Sequence, residues 1–189
     1  TAFGMLAQHL EANGGESIGE SMAINISGAS IGEDGFLDFV RDQFTQFRIP
    51  HTRICFEITE TTAITSLSKA TDFMLALQRL GCRFALDDFG VGVSSFTYLK
   101  NLPVDFLKID GSFVTDMLQN PVNYAMVEAI HRIGHIMGKK TIAESVESLA
   151  ILDALRTIGV DYAQGFAIAR PAIFGQFRRP LPLRRIANA

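Results

Sequence analysis

Short β-type runs alternate with amphipathic helical patterns along this chain, and that alternation limits its possible folds more than any other feature. Strands are predicted at residues 22–26, 53–58, 83–87, 105–109, 140–143 and 160–163. Helices are predicted at residues 36–47, 67–80, 121–137 and 149–158, and the apolar Phe3, Leu6 and Leu10 indicate another at the start. Regular alternation of this kind is typical of an α/β fold whose parallel strands are joined by helical crossovers.

Length and composition favour one soluble domain. A chain of 189 residues with 48% hydrophobic content can bury a single core. With 17 basic and 20 acidic residues the net charge is −3, which argues against a surface for duplex nucleic acid. The apolar runs are too short to span a membrane, and Cys55 and Cys82 lack metal-binding or disulfide spacing. We expect a cytoplasmic domain, with any membrane anchor of the parent protein outside this chain.

Each predicted strand carries a polar residue at its carboxyl end. Side chains of a strand alternate between faces, so Cys55 and Glu57 share one face while their apolar neighbours share the other. The same rule groups Ala23 with Asn25, Ala85 with Asp87, Phe106 with Lys108 and Asp110, Ile142 with Glu144, and Tyr162 with Gln164. Active sites of (β/α)₈ barrels are built from such strand ends. The pattern therefore predicts a barrel rather than an open doubly wound sheet, whose Gly-x-Gly-x-x-Gly turn is absent.

The residues at these strand ends predict a divalent metal site. Asn25, Glu57, Asp87 and Asp88 are hard oxygen ligands, and neighbouring carboxylates repel one another unless a cation holds them. No predicted strand ends in histidine, so Mg²⁺ or Mn²⁺ is favoured over zinc or iron. Because the two aspartates are adjacent, the Phe-Gly pair that follows them is expected to turn the chain and bring both to the metal.

A carboxylate cluster of this kind suits two-metal phosphodiester hydrolysis. Lys108 is expected to hold the attacking water or to offset charge in the transition state. Glu144 is expected to accept the proton of the water or to help place the second ion. Taken alone, these residues would serve another phosphoester equally well.

Six short runs between about residues 22 and 171 together match one known family. They are Asn25-Ile26-Ser27, Glu57-Ile58-Thr59-Glu60, Asp87-Asp88-Phe89-Gly90, Lys108-Ile109-Asp110, Ala143-Glu144-Ser145-Val146-Glu147 and Gln164-Gly165-Phe166. In order and spacing they resemble the motifs of EAL-domain cyclic di-GMP phosphodiesterases. The resemblance implies a TIM-like (β/α)₈ barrel that hydrolyses cyclic di-GMP to linear pGpG with two Mg²⁺ or Mn²⁺ ions, in bacterial second-messenger signalling.

The resemblance also implies a role for each matching residue. It gives metal binding to Asn25, Glu57, Asp87 and Asp88, catalysis to Lys108 and Glu144, and substrate contacts to Asp110, Gln164 and Phe166. The aromatic ring can stack on guanine, a contact worth about 1–3 kcal/mol. It further implies that Glu60 anchors a regulatory loop that includes Phe89 and Gly90. Expected partners are cyclic di-GMP, a second copy of the chain, and upstream GGDEF or sensory domains.

The sequence departs from the family in two places. The loop reads Val91-Gly92-Val93 where the family has Thr-Gly-aromatic, so loop packing and dimer coupling are expected to differ. The chain contains no Glu-Ala-Leu, because its two Glu-Ala pairs, which begin at Glu11 and Glu128, are followed by Asn and Ile. Six predicted strands against the eight of a closed barrel suggest that two strands and one helix are missing on the N-terminal side. We expect little activity from this chain alone; the alternative function is a receptor that binds cyclic di-GMP without cutting it.

The remaining features have ordinary structural interpretations. Residues 1–175 are expected to form the domain, and the Arg- and Pro-rich residues 176–189 a solvated tail. Cys55 is typical of a small core residue, and Phe166 suits core packing and base stacking equally. His131 and His135 are four residues apart on a predicted helix, but without the Glu of His-Glu-x-x-His they are typical of surface residues.

Overall fold

One sheet organises the structure, a computed structural model that describes residues 2–12, 22–91, 96–171 and 184–185. Its strands, in spatial and sequence order, are β1 (Met22–Asn25), β2 (Ile54–Thr59), β3 (Arg83–Phe89), β4 (Phe106–Ile109), β5 (Lys140–Ala143), β6 (Tyr162–Ala163) and β7 (Arg184–Arg185). Neighbours from β1 to β6 are parallel, and β7 is antiparallel to β6. All six predicted strands are present, and their parallel order is that of a partial (β/α) barrel.

Helices follow the strands in the order that the sequence predicted. They are α1 (Ala2–Ala12), α2 (Gly28–Gly32), α3 (Phe36–Phe47), α4 (Glu60–Thr65), α5 (Leu67–Gln78), α6 (Phe96–Leu99), α7 (Gly111–Val114), α8 (Pro121–Ile136) and α9 (Leu149–Ile158). The predicted bounds of α3 and α9 are confirmed to the residue. The short helices α2, α4 and α7 were not predicted. Each begins just after a strand, where a side chain of Ser27, Thr59 or Asp110 accepts a backbone N–H of the first turn.

The predicted strand phases are confirmed by two separate apolar layers. The larger layer lies between the sheet and its helices and includes Ile54, Phe56 and Ile58 of β2. A small inner cluster consists of Cys55, Ala85, Phe106 and Ile142, with Tyr162 packed against it. Each inner residue lies two positions before a polar strand-end residue: Glu57, Asp87, Lys108, Glu144 or Gln164. The inner cluster thus lies directly beneath these polar strand-end residues.

Two aspartates fix the opposite end of the sheet. Asp105, just before β4, accepts a hydrogen bond from Phe84 N of β3 at 2.8 Å. Asp161, just before β6, accepts one from Thr141 N of β5 at 2.9 Å. The sequence placed both aspartates inside strands, because hydrophobic periodicity carries no signal for a side chain that pairs with the backbone of a neighbouring strand.

Both ends of the described chain contact the rest of the fold. Helix α1 is present as expected, with Phe3 edge-on to Phe44 of α3 at 5.0 Å between ring centroids. Within the predicted tail, the backbone of Arg184–Arg185 pairs with β6, because a free strand edge offers unpaired backbone groups. Most of the tail, residues 176–183 and 186–189, lies outside the described residues. No helix in the described part of the chain is long and apolar enough to cross a membrane.

Candidate active site

Lys108 stands at the centre of the polar strand ends. Its Nζ lies 3.0 Å from Glu57 Oε2, 2.8 Å from Asp87 Oδ1 and 2.8 Å from Glu144 Oε1. Only 3% of Lys108 and 8% of Glu57 is exposed. The carboxyl ends of β2, β3 and β4 and the residue after β5 therefore converge on one buried ammonium group.

The carboxylates keep this buried lysine charged. Burial by itself would lower the pKa of Lys108, but the charges of Glu57 and Glu144, with hydrogen bonds to Asp87 and Glu144, raise it above its usual value. The sequence predicted repulsion among these carboxylates that a metal would relieve. In the structure the lysine relieves part of it.

The remaining negative charge gives the cluster capacity for a metal. One carboxylate oxygen from each of Asp87, Asp88 and Glu144 lies within 4.8 Å of the others. Counting Glu57, four carboxylates and one ammonium leave an excess of three negative charges when all are ionised. Burial and the charges of Asp87 and Asp110 raise the pKa of Asp88, and burial raises that of Glu144 although Lys108 opposes it. The donor set is therefore anionic, oxygen-based and only partly neutralised, which fits a hard divalent cation.

A β-bulge brings the two adjacent aspartates to the same side. Leu86 pairs with Leu107 and Phe89 with Ile109, so two residues of β3, Asp87 and Asp88, lie opposite the single residue Lys108 of β4. Asp88 has a φ of 55°, in the left-handed region that aspartate tolerates better than most residues. The predicted turn is present at Gly90, which has a φ of 107°. The prediction that this turn brings the two aspartates together is wrong, because Phe89 is still in β3 and the irregularity is at Asp88 itself.

Asn25 and Asp110 lie at the margins of the cluster. Asn25 pairs in register with Glu57 at the end of β1, and its side chain is exposed. Asp110 accepts a hydrogen bond from Ser112 N at 2.8 Å and so caps α7, while its charge acts on Asp88. Both predicted site residues are thus on the correct edge of the sheet.

A recess beside Glu144 extends the site toward β6. It has a volume of about 210 Å³ and is lined by Glu144, Ser145, Glu147, Gln164, Gly165 and Phe166. Phe166 is 59% exposed, so the core-packing interpretation is wrong. The guanidinium of Arg170, which the sequence did not single out, lies 5.5 Å from the ring centroid.

The wall of this recess depends on a close backbone approach. Gly165 has a φ of 155°, and a Cβ there would clash with the backbone of Val146. Ser145, on the same wall, has a φ of 52°. Gln164 and Phe166 therefore lie beside Glu144. Backbone strain is present on both sides of the cluster, at Ser145 here and at Asp88 in β3.

Glu60 anchors the segment that follows β3, as the resemblance implied. It is 1% exposed, its Oε2 accepts a hydrogen bond from Gly90 N at 3.0 Å, and its Oε1 accepts one from Tyr98 Oη. Burial and this hydrogen bond raise the pKa of the Tyr98 hydroxyl, which stays protonated as a donor. The sequence missed Tyr98, because nothing in its local pattern signals a partner 38 residues away. Val93 lies outside the described residues.

Comparisons with known proteins agree on one family. The family model for the EAL domain matches residues 1–171. The cyclic di-GMP phosphodiesterase PdeB of Shewanella oneidensis is 47% identical over 150 residues, which is 79% of this chain and 18% of that protein. The cyclic di-GMP phosphodiesterase PdeF of Escherichia coli is 37% identical over 149 residues, 79% of this chain and 20% of that protein. This chain therefore spans about a fifth of the length of the curated relatives it matches.

A solved structure shows the same likeness in three dimensions. The structure of the PaMucR phosphodiesterase in complex with c-di-GMP matches 88% of this chain and 67% of its own, with a TM-score of 0.80 and 31% sequence identity. Both the sequence and the fold thus lead to one assignment. The chain belongs to the EAL domain family.

Proposed function

We propose that this chain carries most of a site that hydrolyses cyclic di-GMP to linear pGpG. The observation that carries the proposal is the convergence of Glu57, Asp87, Asp88 and Glu144 on Lys108 at the carboxyl ends of the strands. Its similarity to two relatives named cyclic di-GMP phosphodiesterases supplies the substrate class. The ligand of the PaMucR structure is the same dinucleotide.

The proposed ligands for Mg²⁺ or Mn²⁺ are Asp87, Asp88 and Glu57, with Asn25 at the margin. Two such ions would activate a water and stabilise the leaving oxygen of the phosphodiester. The excess of negative charge around Lys108 supports this assignment, because one ammonium group cannot neutralise four carboxylates. Burial, together with the charges of Asp87 and Asp110, raises the pKa of Asp88, and a bound cation would oppose that shift.

Lys108 and Glu144 have the proposed catalytic roles. Lys108 stays charged at neutral pH, so its N–H groups can donate to a phosphoryl oxygen or to the attacking water as negative charge develops. Glu144 has a pKa above the usual glutamate value, which makes it a better proton acceptor than an exposed carboxylate. Their 2.8 Å contact holds the donor and the acceptor side by side.

Proposed substrate contacts lie along the recess. Its volume of about 210 Å³ is below the ~300–1,000 Å³ typical of complete small-molecule pockets, so it suits one part of a dinucleotide. The exposed ring of Phe166 can stack on a guanine base, and Gln164 lies on the same wall. Asp110 immediately follows β4 and its charge acts on Asp88, so its proposed contact with the ligand is close to the metal site.

Regulation and partners are proposed for the parent protein. Glu60, with Gly90 and Tyr98, holds the segment after Phe89 and would couple a homodimer contact to the site. The two relatives are about four times as long as this chain, which leaves room for GGDEF or sensory domains. The proposed location is cytoplasmic. Residues 1–175 are the proposed domain, and residues 176–189 are the proposed tail, of which Arg184–Arg185 pair with β6.

Residues 1–189 alone should show little turnover, because the chain contains no Glu-Ala-Leu glutamate to complete the ligand set. The same absence favours one alternative function, a receptor that binds cyclic di-GMP without cutting it. The contact between Lys108 and Glu144 argues against the alternative, since binding alone does not require a proton acceptor paired with an ammonium group.

Turnover in a chimera separates the two functions. A Glu-Ala-Leu segment from an EAL-domain relative would precede residue 1, and pGpG would be measured with Mg²⁺ or Mn²⁺. We expect turnover that Glu57→Gln or Asp87→Asn abolishes. Asp153→Asn, which removes a carboxylate on the exposed face of α9, should leave it unchanged. Binding without turnover in either metal would establish the receptor, and turnover in the Glu57 and Asp87 variants would contradict the metal roles.

A further inference from the structure

A second cluster of metal-ligating side chains lies at the opposite end of the sheet. His131 and His135 are on α8, and Asp161 immediately precedes β6. Thr141, near the start of β5, lies between them. The cluster therefore faces the amino ends of β5 and β6, while the candidate active site is at their carboxyl ends.

The three candidate ligands are already close together. His135 Nε2 donates to Asp161 Oδ2 at 2.7 Å, and the two histidine rings have centroids 4.2 Å apart. One ring nitrogen from each histidine and one oxygen of Asp161 lie within 4.8 Å of one another. Ligand atoms on one tetrahedral zinc ion are about 3.3–3.6 Å apart, given metal–ligand distances of ~2.0–2.2 Å. Small side-chain rotations would therefore bring all three onto one ion.

A hydrogen-bond relay orients His131 as a ligating histidine needs. Thr141 Oγ1 donates to Asp161 Oδ2 at 3.2 Å, so it accepts from His131 Nδ1–H at 2.8 Å. The lone pair of neutral His131 is then on Nε2. A Cβ at residue 159 would lie 3.3 Å from this Nε2, so a larger residue than Gly159 would crowd it. Metal-bound histidines commonly donate their second N–H to a protein oxygen in this way.

The chemistry of the cluster differs from that of the active site. Two imidazoles four residues apart on a helix and one carboxylate prefer zinc-class transition metals, whereas an all-oxygen set prefers Mg²⁺ or Mn²⁺. The side chain of Asp161 is 14% exposed and that of His135 is 45% exposed. Water can therefore reach the ion and fill the fourth position. The sequence interpretation of both histidines as ordinary surface residues is wrong for His131, which is half-buried and bonded to β5.

We propose that His131, His135 and Asp161 form a second metal site of the zinc class, which joins α8 to the amino ends of β5 and β6. The ion would replace the proton between His135 and Asp161. This site is independent of the proposed phosphodiesterase function, because it shares no residue with the carboxylate cluster around Lys108. The opposing interpretation is a hydrogen-bonded network that binds no metal.

Calorimetric titration of Zn²⁺ into the full chain tests the proposal, with Mg²⁺ in excess to occupy the active-site carboxylates. We expect one tight equivalent of Zn²⁺. Its affinity should fall at least about tenfold in His131→Gln and in Asp161→Asn, because each removes one of three ligands. Glu128→Gln, which removes an exposed charge from the same helix, should bind like the wild type.

Two further measurements keep the result interpretable if a variant folds poorly. Circular dichroism of the metal-free variants checks folding, and His131→Gln retains an amide donor for Thr141. Visible absorption of the Co²⁺-loaded wild type should show a tetrahedral nitrogen and oxygen environment. The proposal is overturned if folded His131→Gln and Asp161→Asn bind Zn²⁺ as tightly as the wild type, or if Asp87→Asn alone abolishes Zn²⁺ binding.

Discussion

Lys108 shows how one residue holds several strands at a single point. It contacts Glu57 in β2, Asp87 in β3 and Glu144 just after β5, and it is almost fully buried. Lys108→Met would leave those carboxylates without a counter-charge, and breaking a buried ion pair costs about 3–5 kcal/mol. We expect the free energy of unfolding to fall by that amount. We also expect Mg²⁺ to stabilise the variant more than it stabilises the wild type. Chemical denaturation with and without Mg²⁺ measures both effects.

The control for this prediction is Lys100→Met, which changes an exposed lysine and should alter stability by less than about 0.5 kcal/mol. If Lys108→Met is as stable as Lys100→Met, the carboxylates do not depend on the lysine. The central role given to Lys108 would then be wrong.

Ser145 carries backbone strain beside the recess. Its φ of 52° lies in the left-handed region, which costs a residue with a Cβ about 1–2 kcal/mol. Glycine avoids that cost but loses about 0.5–1 kcal/mol through the greater freedom of the unfolded chain. Ser145→Gly should therefore raise the free energy of unfolding by about 0.5–1 kcal/mol in urea denaturation. A decrease would show that the Ser145 side chain makes a stabilising contact larger than the strain.

Among the secondary-structure elements, the segment before β4 is tied to the end of α8 by a buried lysine. Lys139 Nζ donates to Leu102 O and Val104 O, each at 3.0 Å, and burial lowers the pKa of the lysine. Lys139→Met would remove a donor from both carbonyls, but Leu102 O would keep its hydrogen bond from Val104 N at 2.9 Å. The main cost is therefore the loss of the donor to Val104 O, and we expect the free energy of unfolding to fall by about 1–3 kcal/mol in thermal or chemical unfolding.

The neighbouring lysine provides a matched control for that loss. Lys140 is exposed and its Nζ lies 3.3 Å from the Tyr162 hydroxyl, so Lys140→Met should cost less than about 1 kcal/mol. Equal losses at the two positions would show that the hydrogen bonds of Lys139 to the backbone carbonyls do not stabilise the fold.

The contact between α8 and β5 should make stability depend on pH. Burial, and then the charge of His135, lower the pKa of His131 below its usual 6.5, although Asp161 opposes them. The unfolded chain therefore takes up a proton near pH ~6.5 that the folded chain binds less readily, so stability is full above that pH and falls below it. Denaturation in metal-free buffer at pH values above and below 6.5 should show a smaller decrease in His131→Gln. An unchanged decrease in the variant would assign it to other groups.

At the scale of the whole molecule, hydrophobic periodicity in the sequence was enough to predict the main secondary structure. Alternation located the strands β1 to β6 and the long helices, and the phase of each strand identified its inward residue, because both depend on local backbone geometry. It therefore placed Glu57, Lys108 and Glu144 on the correct edge. The family resemblance added Glu60, whose loop contacts the structure confirms.

Other features depend on how distant elements meet, and these were missed. The bulge that sets Asp87 and Asp88 against Lys108 arises from unequal strand pairing, and the Tyr98–Glu60 contact joins two segments far apart in sequence. The pairing of Arg184–Arg185 with β6 depends on a free sheet edge rather than on the propensity of two arginines.

For the whole molecule, the proposed function requires that the carboxyl ends of the strands form a cation-dependent site for cyclic di-GMP. Calorimetric titration of cyclic di-GMP into this chain, in Ca²⁺ or in a chelator, tests it most directly. We expect binding that requires the divalent ion, that weakens at least about tenfold in Asp87→Asn because a ligand carboxylate is lost, and that persists in Asp153→Asn. Equal binding in the chelator, or unchanged binding by the Asp87 variant, would contradict the account.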